Sequence, residues 1–228
     1  MQFQELVENV LIEGEHDKNR FKAIFVLGPP GAGKSYVTRN YISDGTLKII
    51  DNDIATVHLL KKHGLRDSSN DLLDFRDLSP EDDKKLKDIR DKAWQLTGGS
   101  IGDGDTSPYK GLLHYYVEGG LGLIYSGSGA DTSAQKIIYD FLVKNGYDVM
   151  CVVVTAPLGM CLQGNRDRDR KVKDQVIIDK HCALENNIPF YQELFKDRFI
   201  IFNNTGRGST DPQEAKELKK TVQKFLQS

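Results

Sequence analysis

The chain is poor in cysteine and has no long apolar run. Its 228 residues include three cysteines, Cys151, Cys161 and Cys182. An odd number at wide spacing, with no Cys-x-x-Cys pair, argues against a disulfide framework and a zinc site. No apolar run approaches the roughly 20 residues that span a bilayer, and the first ten residues lack the basic and apolar regions of a signal peptide. We therefore expect a cytoplasmic protein with reduced thiols and with Cys151 in the core.

The chain also has no marked excess of positive or negative charge. The sequence carries 31 Lys and Arg against 33 Asp and Glu, a net charge of −2. It therefore has no overall basic field to hold nucleic acid. The hydrophobic fraction of 39% and the charged fraction of 28% are those of an ordinary globular protein, which excludes extended disorder. The length suits one domain with its own core, and we expect that domain to cover residues 1–228.

Apolar stretches typical of buried strands alternate with segments of helical periodicity. The predicted strands cover residues 23–27, 47–50, 121–125, 147–154 and 198–202. The predicted helices cover residues 1–13, 34–42, 54–63, 79–96, 132–145, 174–187 and 211–228. Thr132 to Gln135 has the spacing of a capping box, which places a helix start at Thr132. The alternation predicts an α/β fold in which a five-stranded parallel sheet has helices on both faces.

One motif carries specific chemistry. Gly28-Pro-Pro-Gly-Ala-Gly-Lys-Ser35 matches the phosphate-binding loop (P-loop) pattern in full, between a predicted strand and a predicted helix. Its glycines let consecutive backbone amides point at phosphate oxygens, while Lys34 reaches the β- and γ-phosphates and Ser35 binds Mg²⁺. The predicted nucleotide-binding residues here are Gly28, Pro29, Pro30, Gly31, Ala32, Gly33, Lys34, Ser35 and Tyr36. The motif predicts a bound nucleoside triphosphate but does not distinguish a kinase from a motor or a switch.

Two carboxylates follow the second predicted strand, in the sequence Asp51-Asn-Asp53. Ligands in such folds gather at the carboxyl ends of the strands, so we expect both acids on one strand face beside the P-loop, with Asp53 as the base and Asp51 as the reserve candidate. One carboxylate at this place can accept a proton from an attacking hydroxyl, and another can hold Mg²⁺ through water; Asp51 is the candidate metal residue. A helix cap for the segment from Ile54 onward is the alternative.

Two arginines follow the fourth predicted strand. Arg166 and Arg170 are four residues apart, so on a helix they would share one face. Two guanidinium groups on one face suit the oxygens of a phosphoryl group in transfer. Aspartates alternate with these arginines, and a self-paired surface helix is the alternative.

The P-loop, the acid after the second strand and the Arg-x-x-x-Arg segment together resemble the zeta-toxin and polynucleotide-kinase branch of P-loop kinases. The resemblance covers residues 22–60 and 121–205. It implies a kinase-type P-loop fold and transfer of the γ-phosphate of ATP or GTP, with Mg²⁺, to a hydroxyl on a sugar or a nucleic acid.

The resemblance also assigns residues to the reaction. It implies Asp53 as the general base, Lys34 as the phosphate-binding lysine, and Arg166 and Arg170 as catalytic arginines on a lid over residues 157–175. It matches the segment that binds adenine to Asn203, Asn204 and Thr205. Residues 61–120 match the family poorly, and we expect them to form a helical insertion that binds the acceptor.

The chain departs from this family in two places. Ala55-Thr-Val57 stands where polynucleotide kinases carry an arginine for a substrate phosphate, which disfavours a 5′-end kinase. Tyr125-Ser-Gly-Ser-Gly129 stands where zeta toxins carry an acid, and where motor ATPases carry the acid that polarises water.

Several functions stay open. The expected acceptor is a nucleotide-sugar, a nucleoside or a nucleic acid, and hydroxymethylated bases in DNA are an alternative. An ATPase that transfers no phosphate is a competing function, although Tyr125 and Ser126 disfavour it. A nucleoside monophosphate kinase needs several arginines in the insertion, where the sequence has Arg66, Arg76 and Arg90.

Overall fold

The structure, a computed structural model, describes residues 17–64, 79–98, 111–167, 171–205 and 211–228. The predicted helix over residues 1–13 lies outside the described residues, as does much of the predicted insertion. None of the helices in the described ranges combines the length and the apolar composition needed to cross a bilayer.

The strands form one parallel sheet. They are β1 (Lys22–Leu27), β2 (Lys48–Asp51), β3 (Leu123–Gly127), β4 (Asp148–Thr155) and β5 (Phe199–Asn203). Their order is β2-β3-β1-β4-β5, and every pairing is parallel. The predicted five-stranded parallel sheet is therefore confirmed. Because the strands added after β1 lie on both sides of it, the carboxyl end of β1 is at the point where the strand order reverses.

Helices cover both faces of this sheet. In the described ranges they are α1 (Lys34–Val37), α2 (Asn52–Lys62), α3 (Pro80–Thr97), α4 (Leu112–Glu118), α5 (Thr132–Lys144), α6 (Leu158–Arg166), α7 (Asp174–Phe195) and α8 (Pro212–Gln227). Alternate residues of β1 belong to two cores: Ile24 and Val26 are buried with α2, α3 and α8, whereas Phe25 and Leu27 are buried with α4, α5 and α7. Burial on both faces explains the continuous apolar sequence of β1. Cys151 of β4 is fully buried, as predicted.

The amino end of the sheet is fixed by a charge cluster around Asp148. Lys22 Nζ lies 2.9 Å from its Oδ2, and Arg198 pairs with its Oδ1. Both cations also lie over the ring of Phe225 in α8, at 5.1 and 5.2 Å from its centroid. Burial raises the pKa of the Asp148 carboxyl, but hydrogen bonds from Arg198 and Lys22 and their positive charges together hold it below its ordinary value.

One predicted boundary and one predicted cap are wrong around β3, while the helix start predicted at Thr132 is confirmed. The strand begins two residues later than predicted, because the N–H of Leu121 bonds the carbonyl of Tyr116 and the N–H of Gly122 bonds the carboxylate of Asp17. The cap of α5 is Asp131 rather than Thr132: its Oδ1 accepts from the N–H of Ala134 at 3.0 Å. The side chain one residue earlier thus takes the capping role.

Two predicted helices also differ. The helix predicted over residues 34–42 is α1 followed by a π-helical turn, Thr38–Ile42, in which the Tyr41 ring lies 5.7 Å from that of Phe202. The helix predicted to end at residue 187 continues through Pro189 to Phe195. Burial of Tyr191 and Phe195 stabilises this continuation enough to offset the hydrogen bond that proline removes.

Candidate functional site

The P-loop connects β1 to α1 at the carboxyl edge of the sheet. Gly31 and Gly33 have φ angles of +82° and +85°, in the left-handed region that favours glycine. A Cβ on Gly31 would overlap the carbonyl oxygen of Cys161, and one on Gly33 would overlap the side-chain amide of Asn204. The glycines therefore provide both the curl of the loop and the close approach of its neighbours.

Asn204 supports the loop from the end of β5. Its Nδ2 donates to the carbonyl of Ala32 at 2.8 Å, and its backbone N–H donates to the carbonyl of Thr155 at 2.8 Å. Sequence reasoning assigned Asn204 to adenine binding and missed this contact with the loop, because the two residues are 172 positions apart. Asn203, also assigned to adenine, accepts from the hydroxyl of Thr155 through Oδ1 at 2.6 Å and is exposed. Thr205, the third residue so assigned, is also exposed.

The side chains of Lys34, Ser35 and Tyr36 follow the loop at the start of α1. Lys34 Nζ donates to the carbonyls of Gly28 and Pro29 at 2.8 and 3.3 Å. Ser35 and Tyr36 follow in α1 and are exposed. The Tyr36 ring packs edge-on against Tyr41, with centroids 5.9 Å apart, so these aromatic rings extend from the loop to Phe202 of β5.

Asp51 and Asp53 have different surroundings. Asp51 ends β2 and caps α2, since its Oδ1 accepts from the N–H groups of Asp53 and Ile54 at 2.8 and 3.3 Å. The capping alternative is therefore realised for Asp51. Asp53 lies exposed in the first turn of α2. The expectation that both lie on one strand face is wrong, because Asp53 is helical.

The sequence suggested that Asp51 and Asp53 lie directly beside the P-loop, but the structure does not place them there. Strand β3 lies between β2 and β1, so two strand spacings, about 10 Å, separate the end of β2 from the end of β1. The end of β3 fills the interval: Ser126 pairs in register with Asp51 on one side and with Val26 on the other. A serine thus occupies the strand end between the P-loop and the acids.

Helix α6 packs directly on the P-loop. A Cβ added to Gly164 would come within 2.6 Å of the carbonyl oxygen of Gly31. The next residue, Asn165, is fully buried. Its Nδ2 donates to the carbonyl of Val172 at 2.8 Å, and its Oδ1 accepts from the N–H of Val172 at 3.0 Å. Asn165 therefore joins the end of α6 to the segment that precedes α7, a contact that no local sequence pattern indicates.

The predicted arginine pair is only partly described. Arg166 is the last residue of α6, and its Nη2 lies 3.8 Å from Oδ2 of Asp174. Arg170 lies outside the described residues. The prediction that these two arginines share one face of a helix therefore falls partly outside the described residues.

The thiol nearest the loop is protected. Burial raises the pKa of Cys161 to about 11, and the charge of Lys34 lowers it by less. Its Sγ lies 3.7 Å from the carbonyl of Ala156. The thiol therefore stays protonated at neutral pH and has the character of a core residue.

Comparison with known proteins identifies the fold. No protein-family model and no curated protein matches the chain. Among solved structures, a candidate kinase of Chloroflexus aurantiacus J-10-fl is 13% identical, with a TM-score of 0.52 over 91% of this chain and 97% of that chain. A structure from the PezAT toxin–antitoxin system of Streptococcus pneumoniae is 14% identical, with a TM-score of 0.53 over 98% and 94%. The AvrRxo1-ORF1:-ORF2 structure with ATP is 12% identical, with a TM-score of 0.51 over 97% and 83%. The chain has the kinase-type P-loop NTPase fold.

Proposed function

We propose that the protein is a kinase that transfers the γ-phosphate of ATP or GTP to a hydroxyl. The observation that carries the proposal is the P-loop itself, which combines its full motif with left-handed glycines at Gly31 and Gly33 and lies at the carboxyl end of the central strand. Such a loop directs backbone amides at phosphate oxygens. The Lys34 ammonium, on the same loop, would neutralise charge on the β- and γ-phosphates as the transfer proceeds.

A magnesium ion fits the residues at this edge. The Ser35 hydroxyl is exposed at the start of α1, and the Asp51 carboxylate lies at the end of β2. Hydroxyl and carboxylate oxygens are the ligands that Mg²⁺ takes alongside nucleotide phosphates. We therefore propose that Ser35 and Asp51 hold the magnesium ion. The Asp51 carboxylate would do so while it also caps α2. The ion would supply neutralising charge at the phosphates.

The proposed general base is Asp53. Its exposed carboxylate leaves it accessible to an acceptor, and about 10 Å between the ends of β2 and β1 leaves room for one beside the γ-phosphate. Arg166, next to the P-loop through α6, and Arg170 are proposed to stabilise charge on the transferring group. Asn203 and Thr205, at and beyond the end of β5, are proposed to contact the nucleobase.

The zeta-toxin-like branch is the finer proposal. The likeness of fold to the PezAT structure supports it, together with the acid after β2 and the arginines after β4. Ser126 at the end of β3 argues against an ATPase that needs an acid there to polarise water. We propose a nucleotide-sugar, a nucleoside or a nucleic-acid group as the acceptor, bound by residues 61–120, with the protein in the cytoplasm.

A label-transfer experiment tests the proposal. ATP and GTP labelled at the γ-phosphate are incubated with the full chain, Mg²⁺ and four acceptor pools: nucleosides, nucleotide-sugars, 5′-hydroxyl oligonucleotides and hydroxymethylated DNA. We expect covalent label in one pool, and loss of that label with Lys34→Ala. Absence of label from every organic acceptor, while nucleotide binds, would refute the kinase proposal.

A further inference from the structure

Gln135 is a buried polar residue with an unpaired oxygen at the carboxyl edge of the sheet. It belongs to the second turn of α5, and its side chain is 6% exposed. Within the part of the chain that the structure describes, its Oε1 is buried and has no hydrogen-bond partner. Leaving a buried polar atom without a partner destabilises a fold, so such an atom calls for an explanation.

The Gln135 amide is aimed at the end of β3. Its Nε2 and Oε1 lie 3.3 and 3.5 Å from the place that a Cβ on Gly127 would occupy. Tyr125, two residues earlier on the strand, lies beside the same amide. Ser126, between these two residues, pairs in register with Asp51. The unpaired oxygen therefore lies at the strand end between the P-loop and the proposed base.

The loop over this strand end is held in place from the opposite side. Asn187 Nδ2 donates to the carbonyls of Gly129 and Ala130 at 3.1 and 3.0 Å, and the Tyr191 hydroxyl donates to Gly129 at 2.9 Å. The carboxylate of Asp131 caps the helix that follows. These hydrogen bonds tie the loop to α7 and α5, and none of them involves the Gln135 amide.

We propose that Gln135 binds the acceptor and selects an uncharged, hydroxyl-bearing group at the end of β3. This inference rests on the proposed kinase function. A hydroxyl is both donor and acceptor, so it satisfies the free amide atom in either orientation of the amide. Two carboxylates border this place: Asp51 ends the neighbouring strand, in register with Ser126, and Asp131 caps α5. Like charge therefore disfavours an anionic group on this part of the acceptor.

The test compares two glutamine-to-methionine variants of the full chain. Gln135→Met keeps the length of the side chain and removes its polar atoms; Gln192→Met makes the same change at an exposed position of α7. For the acceptor that takes label in the four pools, we expect Gln135→Met to raise KM roughly 10–100-fold, the range for losing one paired polar group. The KM for ATP stays within about twofold, and Gln192→Met matches the wild type in both.

Thermal unfolding supplies a readout that needs no acceptor. Because Oε1 has no partner to lose, the Tm of Gln135→Met should equal or exceed that of the wild type, as for other residues that serve binding at the expense of stability. A fall of roughly 5 °C or more would make Gln135 a structural residue and overturn the inference. An unchanged acceptor KM would overturn it while the kinase function stands. If the wild-type protein labels no acceptor, both this inference and the proposed kinase function are refuted.

Discussion

Replacing Asn165 with leucine should destabilise the protein strongly, because one side chain serves two buried backbone groups. Leucine keeps the number and branching of the side-chain heavy atoms but can neither donate to the carbonyl nor accept from the N–H of Val172, contacts of 2.8 and 3.0 Å in the wild type. Each buried group left unpaired costs about 1–3 kcal/mol, so the loss for both groups is roughly 2–6 kcal/mol. For a chain of this size, in which 1 kcal/mol shifts the Tm by about 2–4 °C, this lowers the Tm by roughly 4–24 °C.

Circular dichroism melts of wild type, Asn165→Leu and Asn186→Leu measure this effect. Asn186 lies exposed on α7, so the same substitution there should change the free energy of unfolding by less than about 0.5 kcal/mol. Below its Tm, Asn165→Leu should also transfer phosphate more slowly, since the side chain joins α6 to the end of the predicted lid. A Tm within 2 °C of the control would show that the two hydrogen bonds contribute little and would refute the reasoning.

Four further substitutions separate the roles of charged residues. Asp51→Ala removes the cap of α2 and should cost about 0.5–2 kcal/mol of stability, whereas Asp53→Asn should leave the Tm unchanged and lower turnover about 10²–10⁴-fold; the opposite pattern in melts and kinetics would exchange the roles. Arg166→Ala should lower kcat while the Kd for ATP changes little. Weaker ATP binding at unchanged kcat would show that Arg166 stabilises only bound ATP and not the transition state. Asp148→Asn should lower the Tm at pH 7 by a few degrees. Because the pKa of Asp148 is below its ordinary value of 3.8, that difference should shrink as the pH falls below this value, and melts that show a constant difference from pH 7 to pH 3 would contradict the assignment.

The elements with strong local signals are the ones that the sequence predicts. The apolar run of β1 and the P-loop after it are predicted almost to the residue, because burial on both faces and the turn chemistry of Gly31 and Gly33 are local properties. The Ser79 cap and Pro80 likewise predict the start of α3, and Ser79 Oγ accepts from the N–H of Asp82 as expected.

The parts that the sequence does not predict depend on distant contacts. Strand order is one: nothing in β2 or β3 indicates that β3 is inserted between β2 and β1, so the distance from Asp53 to the P-loop is underestimated. The Asn204 and Asn165 contacts with backbone groups, and the unpaired oxygen of Gln135, follow from tertiary packing and have no sequence period. The extension of α7 beyond Pro189 is decided by burial of Tyr191, which overrides the local preference.

The fate of the γ-phosphate tests the central claim most directly. The rate of ATP consumption and the ratio of labelled organic phosphate to released inorganic phosphate are measured with and without the acceptor pools. A kinase should consume ATP faster when the right acceptor is present and should place most of the label on it, and Asp53→Asn should abolish this transfer while still binding ATP with Mg²⁺. The account would be contradicted if all label were released as inorganic phosphate and if the rate of release were the same with each acceptor pool as without any acceptor.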